Sequence, residues 1–432
     1  MDGRPRPALD PPVLGRARAG PAARVRRRRP RRRHAGRAPG RDRHRVRRRP
    51  RPHRARAPLE GERAVSAPVR GDAPVDPSVR GGGAHRVDFG RPTRVVRGLG
   101  GRVSHRLDLR TLAVCGALLL VALAIGVVAL TTGDYPLTVS QVLQALVGAA
   151  DGPVHMVVVE WRLPRALMAL VLGAALGASG AIFQSLTRNP LGSPDVIGFN
   201  TGAYTGALVV IMLLGGGYVG VAAGALVGGI VTAGVVYVLA YRRGVQGFRL
   251  IIVGIAVSAM LASVNQWLII KADLETAMAA AVWGAGSLNG MTWAQAVPAA
   301  VLAALIALPL VWLAPRMGML ELGDDAAAAL GLRSERVRLA LVVVGVALTA
   351  LVTAAAGPIT FVALAAPQLA RRLTGAAGVR ILPAAAMGAV LLAASDLVAQ
   401  RAFAPTQLPV GVVTVSVGGA YLVWLLVREA RK

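Results

Sequence analysis

Long runs of residues with few or no Asp, Glu, Lys or Arg dominate the chain after residue 110. About 20 apolar residues cross a bilayer as a helix, so each run of that length predicts a membrane span. Glycines at 215–217 and the pair Gly357-Pro358 divide two of the runs into two spans each. The pattern therefore predicts ten spans, in runs at 111–133, 166–187, 196–241, 250–270, 276–315, 339–370, 381–400 and 402–427.

The basic residues between the runs are distributed unevenly, which predicts the orientation of the chain. Placing the N-terminus inside leaves 17 Lys and Arg in the inside segments and 4 in the outside segments. An even number of spans also puts both termini on the same side. Because cytoplasmic loops are enriched in Lys and Arg, we predict a multi-pass protein of the cell membrane with both termini in the cytoplasm.

Small residues recur on single faces of the predicted spans. Gly173, Gly177 and Gly180 share one face of the second span. Small residues let helix backbones approach closely in lipid. They predict a tightly packed all-α integral membrane fold, and they do not identify a substrate path.

The first 110 residues have a different composition. They contain 32 Arg, no Lys and 9 acidic residues, which account for most of the net charge of +29. Residues 1–86 have no apolar periodicity and almost no aromatic side chains, so they cannot bury enough surface to offset the entropy of ordering. We predict an Arg/Pro-rich disordered head at 1–86, a basic inside-facing anchor segment at 87–110 and a ten-span domain at 111–432.

Two interpretations of the head stay open. An Arg-rich tail could bind anionic lipid or nucleic acid, but the missing aromatic side chains disfavour nucleic acid. Alternatively, residues 1–86 are not translated in the natural protein, because an arbitrary frame through GC-rich DNA gives this composition, and Val87 is a candidate start. We expect membrane lipid, and no nucleic acid, among the partners.

Residues that build catalytic or metal sites are scarce in the predicted spans. The single cysteine is Cys115, and His155 is the only histidine after residue 110. Neither Lys271 nor Lys432 follows a Gly-rich turn, so the sequence contains no P-loop for ATP. We predict no catalytic residues, no metal site and no cofactor, with energy supplied by a separate protein.

Asp396 is the one clear ionisable residue inside a predicted span. Ion-coupled carriers usually keep such a group in the middle of the membrane, but Asp396 lies near the outer end of its run. Arg401 follows five residues later, and the two charges could neutralise each other at the interface. An ion-coupled secondary carrier stays open as an alternative, although no mid-membrane carboxylate supports it.

The inside segment at 316–338 contains a short predicted helix. Asp324 suits its N-cap or its first turn, four alanines propagate it, and Gly331 suits its end. A short rigid helix of this kind could fit a groove on a soluble protein. It could equally be a plain linker helix.

Several motifs together resemble one protein family. They are RLPR at 162–165, SGAIFQ at 179–184, RNPLGSPD at 188–195, LGDDAAAALG at 322–331, GPITFVALAAPQ at 357–368 and LPVG at 408–411. In combination they resemble the permeases of the iron-siderophore and vitamin B12 family of ATP-binding-cassette importers. The resemblance covers about residues 88–432.

This resemblance implies a type II importer permease fold with ten transmembrane helices. It implies a permease subunit, not an enzyme, that moves ferric siderophore complexes. The implied partners are a cytoplasmic ATP-binding-cassette ATPase, an extracytoplasmic siderophore-binding protein and a second permease subunit, identical or different. Import of vitamin B12 or haem is the alternative within the family.

The resemblance also implies roles for individual residues. Arg162, Arg165 and Arg401 would receive acidic residues of the binding protein, since guanidinium groups suit carboxylates, unless these side chains only snorkel to the interface. We expect six residues to contact the ATPase: Gly323, Asp324, Asp325, Ala328, Leu330 and Gly331.

A third group of residues has a predicted structural role at an inside turn between the second and third spans. Amide and carboxylate side chains satisfy backbone groups at tight turns that contain proline. The residues of this predicted turn are Gln184, Arg188, Asn189, Pro190 and Asp195.

Two glutamines depart from the family pattern. Gln368 stands where the family often has His, and Gln407 stands where it often has Glu. These departures resemble a subgroup that imports ferric siderophores, often as one half of a pair of different permeases.

Overall fold

A computed structural model describes residues 93–98, 103–150, 152–241 and 247–430 of the chain. The predicted head at 1–86 lies outside the described residues, as do parts of the predicted anchor segment at 87–110. The proposed division of the chain into a head, an anchor segment and a membrane domain therefore stays a prediction.

Fourteen helices make up most of the described chain. The first seven are α1 (Leu109–Thr131), α2 (Val139–Leu146), α3 (Pro153–Thr187), α4 (Phe199–Leu214), α5 (Tyr218–Ala240), α6 (Gly247–Lys271) and α7 (Leu274–Gly284). The other seven are α8 (Trp293–Ala307), α9 (Leu310–Glu321), α10 (Asp324–Ala329), α11 (Ser334–Ala356), α12 (Val362–Thr374), α13 (Ile381–Arg401) and α14 (Val410–Ala430).

A β-hairpin precedes α1, and the sequence analysis did not predict it. Strands β1 (Thr93–Gly98) and β2 (Val103–Asp108) pair antiparallel. Glycines at 98, 100 and 101 fall at the connection between them, a composition typical of hairpin turns. Frequent arginines in this segment obscure the alternation that would mark two short strands. From residue 109 onward, the described chain has the predicted helical character.

Six helices are long and apolar enough to cross a membrane: α1, α3, α5, α6, α11 and α13. The pair α8 and α9, bent by 48°, is a seventh if it forms one span. Helix α4 and the segment Val410–Trp424 of α14 are apolar but shorter, and α12 has 13 residues. Every predicted run contains at least one helix, but length and composition establish six to seven spans in the described residues, so the count of ten stays a prediction.

Helix α3 lies at the centre of the main hydrophobic core, and its glycines let neighbouring helices approach. A Cβ atom on Gly177 would collide with the carbonyl oxygen of Ala384 in α13, and one on Gly180 would collide with that of Ala363 in α12. A Cβ atom on Gly173 would lie 2.5 Å from the Gly388 carbonyl oxygen. The glycine face that the sequence predicts for close packing therefore contacts α12 and α13.

Helix α3 also connects the two ends of the bundle. Its first turns carry Arg165, and Arg188 directly follows its last residue. Helix α13 runs antiparallel to α3, since Asp396 near the end of α13 pairs with Arg165. We call these ends the Arg165 end and the α10 end, because Arg188 contacts α10.

Candidate functional site

The α10 end is built around the turn that follows α3. Arg188 ends α3 in the left-handed conformation, with φ of 49°. Its guanidinium group donates to the carbonyl oxygen of Leu320 at 2.9 Å and lies 3.3 Å from Asp324 Oδ1. The structure therefore brings together the predicted inside turn and the predicted ATPase contact.

Helix α10 is a single short helix between two glycines. Gly323 precedes it with φ of 114°, and Gly331 follows it with φ of 78°. Such positive φ values favour glycine, so both ends of the helix are set by sequence. Ala327 is fully buried against the core, whereas Ala328 and Leu330 are exposed. One face of α10 anchors the helix and another is free for a contact.

Two arginines hold the start of α10. The Asp324 carboxylate accepts hydrogen bonds from Arg188, which follows α3, and from Arg338 in α11. Asp324 is about half exposed, so each ion pair contributes only about 0–1 kcal/mol. The two ion pairs therefore set the orientation of α10 relative to α3 and α11 and add little to the stability of the fold. Asp325 is exposed and points its charge toward solvent.

The inside turn is tied to α12 by side-chain hydrogen bonds to the backbone. Gln184 donates to the Leu364 carbonyl oxygen at 2.9 Å, and Gln368 donates to that of Pro190 at 2.8 Å. Within the turn, Asn189 Oδ1 accepts a hydrogen bond from the backbone amide of Leu191 at 2.9 Å. Gln368, which departs from the family pattern, thus contacts the turn directly.

Asp195 connects the same turn to the start of α12 and to α4. The Asp195 Oδ2 atom accepts a hydrogen bond from the backbone amide of Phe361 at 3.1 Å. The Oδ1 atom accepts a hydrogen bond from Asn200 Nδ2 at 2.6 Å. Phe361 has φ of 69°, which is unusual for an aromatic residue. Desolvation raises the pKa of Asp195 to about 7, although the hydrogen bond from Phe361 opposes the rise.

At the Arg165 end, an ion pair joins α3 to α13. Arg165 Nη2 lies 2.9 Å from Asp396 Oδ1, and its Nε lies 3.0 Å from Oδ2. Gln400 also donates to Asp396 at 2.8 Å, and Gln407 accepts from Arg165 at 2.8 Å. Both charged side chains are largely buried.

The predicted neutralisation of Asp396 by Arg401 is therefore wrong. Five residues along an α-helix turn the side chain by about 140° beyond a full turn. Asp396 faces α3, where Arg165 meets it, and Arg401 points elsewhere. The partner of Asp396 is far away in sequence, which is why spacing alone did not find it.

The other two predicted docking arginines differ from Arg165 in their surroundings. Arg162 donates to the carbonyl oxygens of Leu130 and Tyr135, each at 2.7 Å, and remains partly exposed. Arg401 is partly exposed, and its buried Nε has no hydrogen-bond partner among the described residues. Arg165 and Arg162 thus have intramolecular partners, whereas Arg401 is the arginine of this group most available to another protein.

A cavity of about 560 Å³ lies between α4, α6, α14 and the segment before α12. Because 7 of its 15 lining residues have polar side chains, we call it the polar cavity. No charged side chain lines it. Asn265 is buried, and its Oδ1 accepts no hydrogen bond from any residue that the structure describes. The polar side chains of the lining are Asn200, Thr201, Tyr204, Asn265, Gln266, Thr360 and Ser416.

Sequence reasoning missed this cavity. The available signal was a pair of adjacent amides, Asn265 and Gln266, within an otherwise apolar uncharged run. Polar side chains inside a span usually face the bundle interior or a water-filled space. Which helices meet around them is decided only by the fold.

The described residues contain no cluster of three or more His, Cys, Asp and Glu side chains that could hold a metal ion. The polar cavity offers amide and hydroxyl groups, which exchange hydrogen bonds and do not perform acid–base or nucleophilic chemistry at neutral pH. The arrangement is suited to passage or binding of a polar molecule.

Comparisons with known proteins agree on one family. The model of the FecCD transport family matches residues 109–428. The ferric enterobactin transport system permease protein FepG of Escherichia coli K12 is 55% identical over 323 residues, covering 75% of this chain and 98% of FepG. The achromobactin transport system permease protein CbrC of Dickeya dadantii is 34% identical, covering 76% of this chain and 95% of CbrC.

A solved structure has the same fold. It is described as an inward-facing conformation of a metal-chelate type ABC transporter, and it superposes with a TM-score of 0.66 at 28% identity. The match covers 73% of this chain and 99% of that one. The extent of these matches shows that the chain belongs to the FecCD transport family.

Proposed function

We propose that the chain is the permease subunit of an ATP-binding-cassette importer that carries ferric siderophore complexes across the cell membrane. The observation that carries this proposal is the 55% identity to FepG over 98% of its length. YfhA of Bacillus subtilis, 36% identical over 296 residues, is named as a probable siderophore transport system permease protein. Neither FepG nor YfhA is named for vitamin B12 or haem, so these relatives lend no support to either as cargo.

The proposed fold has ten spans and places the α10 end in the cytoplasm. Ten spans require α4, α12 and α14 to cross along with the six long helices, and α8 and α9 to form one bent span. The excess of Lys and Arg in the segments at the α10 end supports this orientation. The same orientation places both termini in the cytoplasm.

In this proposal the polar cavity lies on the path of the cargo, at the surface where a second permease subunit packs. A siderophore surrounds its iron with its own oxygen atoms, so the path needs no metal ligands. Neutral amides and hydroxyls can exchange hydrogen bonds with those oxygens without holding the complex tightly. Asn265, whose Oδ1 has no partner among the described residues, is the first candidate for such a contact.

The ATPase would bind at α10, where Asp325, Ala328 and Leu330 are exposed. Rotation of α10 by the ATPase would act directly on α3 and α11, because Asp324 is bonded to Arg188 and Arg338. Gly323 and Gly331 would serve as the ends of this contact helix. The siderophore-binding protein would dock at the Arg165 end, mainly through Arg401 and the exposed part of Arg162.

Reconstitution tests the proposal. Proteoliposomes with the permease, its ATPase and its binding protein should accumulate a radiolabelled ferric siderophore only when ATP is supplied. Proteoliposomes with this chain alone should accumulate none, with or without an ion gradient. Accumulation by the chain alone under a proton or sodium gradient would instead establish the secondary carrier.

A further inference from the structure

A second, apolar cavity of about 990 Å³ lies on another side of the bundle, between α1, α3, α8, α9 and the start of α13. Nine of its 24 lining residues are alanines, and only Glu321 and Arg380 are charged. Such a lining cannot hold ordered water, because water needs several polar partners. The cavity is suited to a hydrocarbon chain.

The shape of the cavity follows from the break between α8 and α9. The two helices meet at a bend of 48°, and Pro309, which lacks an amide hydrogen, directly precedes α9. Ala307 and Leu310, on either side of the break, both line the cavity. Facing them, α3 presents Ala174 and Ala178. Short side chains on both walls leave the space unfilled.

The polar groups of the cavity are gathered at the α10 end. Arg380, just before α13, donates to Thr111 Oγ1 at 3.0 Å and lies 3.8 Å from Asp108 Oδ2. Its side chain is nearly half exposed, so donors remain for another acceptor. Glu321 accepts the amide of Val379 at 3.3 Å, which orients this carboxylate toward the backbone.

We propose that this cavity binds an anionic phospholipid, with an acyl chain along the alanine-lined wall and the phosphate on Arg380. The cavity lies among helices long enough to span a membrane, where acyl chains are the surrounding solvent. Basic residues at the cytoplasmic end of pockets between membrane helices are suited to lipid phosphates, and guanidinium groups bind phosphate oxygens well. The inference depends on the membrane location of the chain and not on the identity of its cargo.

Other occupants fit the cavity less well. The proposed cargo is a polar chelate, and its proposed path is the separate cavity beside α6. The chain's own first 92 residues contain runs of arginine and no long apolar run. A lipid combines an apolar chain with a single anionic group. The lining is apolar along most of its length, and at its polar end Arg380 is nearly half exposed while the Glu321 carboxylate is turned toward the Val379 amide.

Photo-crosslinking tests the site in the full-length chain. The probe is phosphatidylglycerol with a diazirine on one acyl chain, incorporated into nanodiscs with an excess of unlabelled phosphatidylcholine. Peptides of α8 and α9 should be labelled, and Ala304→Phe, which fills the cavity, should lower that labelling by about tenfold, equivalent to about 1.4 kcal/mol. Leu302→Phe is the matched control, because Leu302 is exposed about 160° around α8 from Ala304, and it should leave labelling unchanged.

A second variant keeps the test decisive if Ala304→Phe does not fold. Arg380→Gln should lower the retention of phosphatidylglycerol in native mass spectrometry, whereas Arg336→Gln, an exposed arginine at the same end, should not. Equal labelling in the two phenylalanine variants, or equal retention in the two glutamine variants, would overturn the proposal. Either result would mean that the lipid is only part of the bulk bilayer around the protein.

Discussion

At the scale of single residues, charged side chains in the spans are used to join helices. Arg165 and Asp396 are separated by 231 positions and form a largely buried ion pair. A buried pair adds little net stability compared with apolar residues of similar size. Removing one partner is different, because it leaves an uncompensated charge in a region of low dielectric constant.

The Asp396→Leu variant should therefore be strongly destabilised, by about 3–5 kcal/mol. The double variant Arg165→Met with Asp396→Leu should regain most of that loss, since neither charge is then left alone. Thermal unfolding of the detergent-solubilised protein measures both. A single variant as stable as the wild type would show that the pair is not buried in solution.

The raised pKa of Asp195 predicts that the stability of the folded protein depends on pH. Its pKa is raised by desolvation to about 7, above the value of about 3.9 in an unfolded chain, so the folded state favours the protonated carboxyl. The resulting stabilisation is complete below about pH 4 and is lost as the pH rises through about 7.

Unfolding temperatures measured from pH 5 to pH 8 should show this effect as a difference between proteins. The wild type should lose stability with rising pH relative to Asp195→Asn, which cannot ionise. The other titrating groups are the same in both proteins, so their contributions cancel in the difference between the two profiles. Parallel profiles for the two would contradict the raised pKa.

At the scale of elements, α10 is the helix whose position the sequence specified best. Its first turn contains Asp324, and Gly331 follows its end with positive φ, as the capping pattern predicts. The sequence did not indicate which residues would hold it. Arg188 and Arg338 do so, and this links α10 to two long helices.

A bulky residue on the exposed side of α10 should uncouple ATP hydrolysis from transport. For Ala328→Phe, we expect ATPase activity in the reconstituted complex to persist while siderophore uptake falls by about tenfold or more, because the added ring would displace the ATPase contact from α10. Ala377→Phe, an exposed alanine in the loop before α13, is the control and should transport normally. Normal uptake by Ala328→Phe would remove α10 from the proposed contact.

The contact between α3 and α13 depends on glycine. In Gly177→Ala, the new methyl group would meet the backbone of Ala384, which cannot move without displacing α13. We expect a loss of about 1–3 kcal/mol, typical of overpacking. Gly116→Ala in α1 has open space around it and should be neutral or slightly stabilising. The unfolding temperatures of the two variants measure this difference in stability. Equal unfolding temperatures would contradict the close contact between α3 and α13.

At the scale of the whole molecule, two of the cavities in the helix bundle differ in character. The cavity beside α6 has uncharged polar side chains in its lining, and the cavity beside α8 is apolar with Arg380 and Glu321 at one end. The proposed cargo path and the proposed lipid site are therefore in separate cavities. Helices α1 and α6 expose most of their apolar windows, which leaves surface for lipid or for a second permease subunit.

The function proposed for the molecule needs no contribution from residues 1–86. The family match begins at residue 109, and the proposed contacts with the ATPase and the binding protein all lie after it. A variant without residues 2–86 should therefore keep siderophore uptake within about twofold of the full chain, a difference of less than about 1 kcal/mol. Uptake assays in cells, normalised to the amount of protein in the membrane, measure this, and loss of uptake would give the head a necessary role.

The sequence by itself determined the helical membrane character, the family and the position of α10. Runs of uncharged residues, capping residues and short motifs are local signals, and they depend on solvation and backbone geometry within a few turns. The β-hairpin was missed because its two strands are only six residues each and lie in a segment dominated by charge.

Only the tertiary structure decided which residues meet. It paired Asp396 with Arg165 instead of Arg401, joined Arg188 to Asp324, and placed Asn265 at a polar cavity. These contacts join positions that are distant in the chain, and they depend on which face each helix turns toward its neighbours. Hydrophobicity in a membrane span is nearly uniform around the helix, so the sequence carries little information about that rotation, and close packing of small residues decides it.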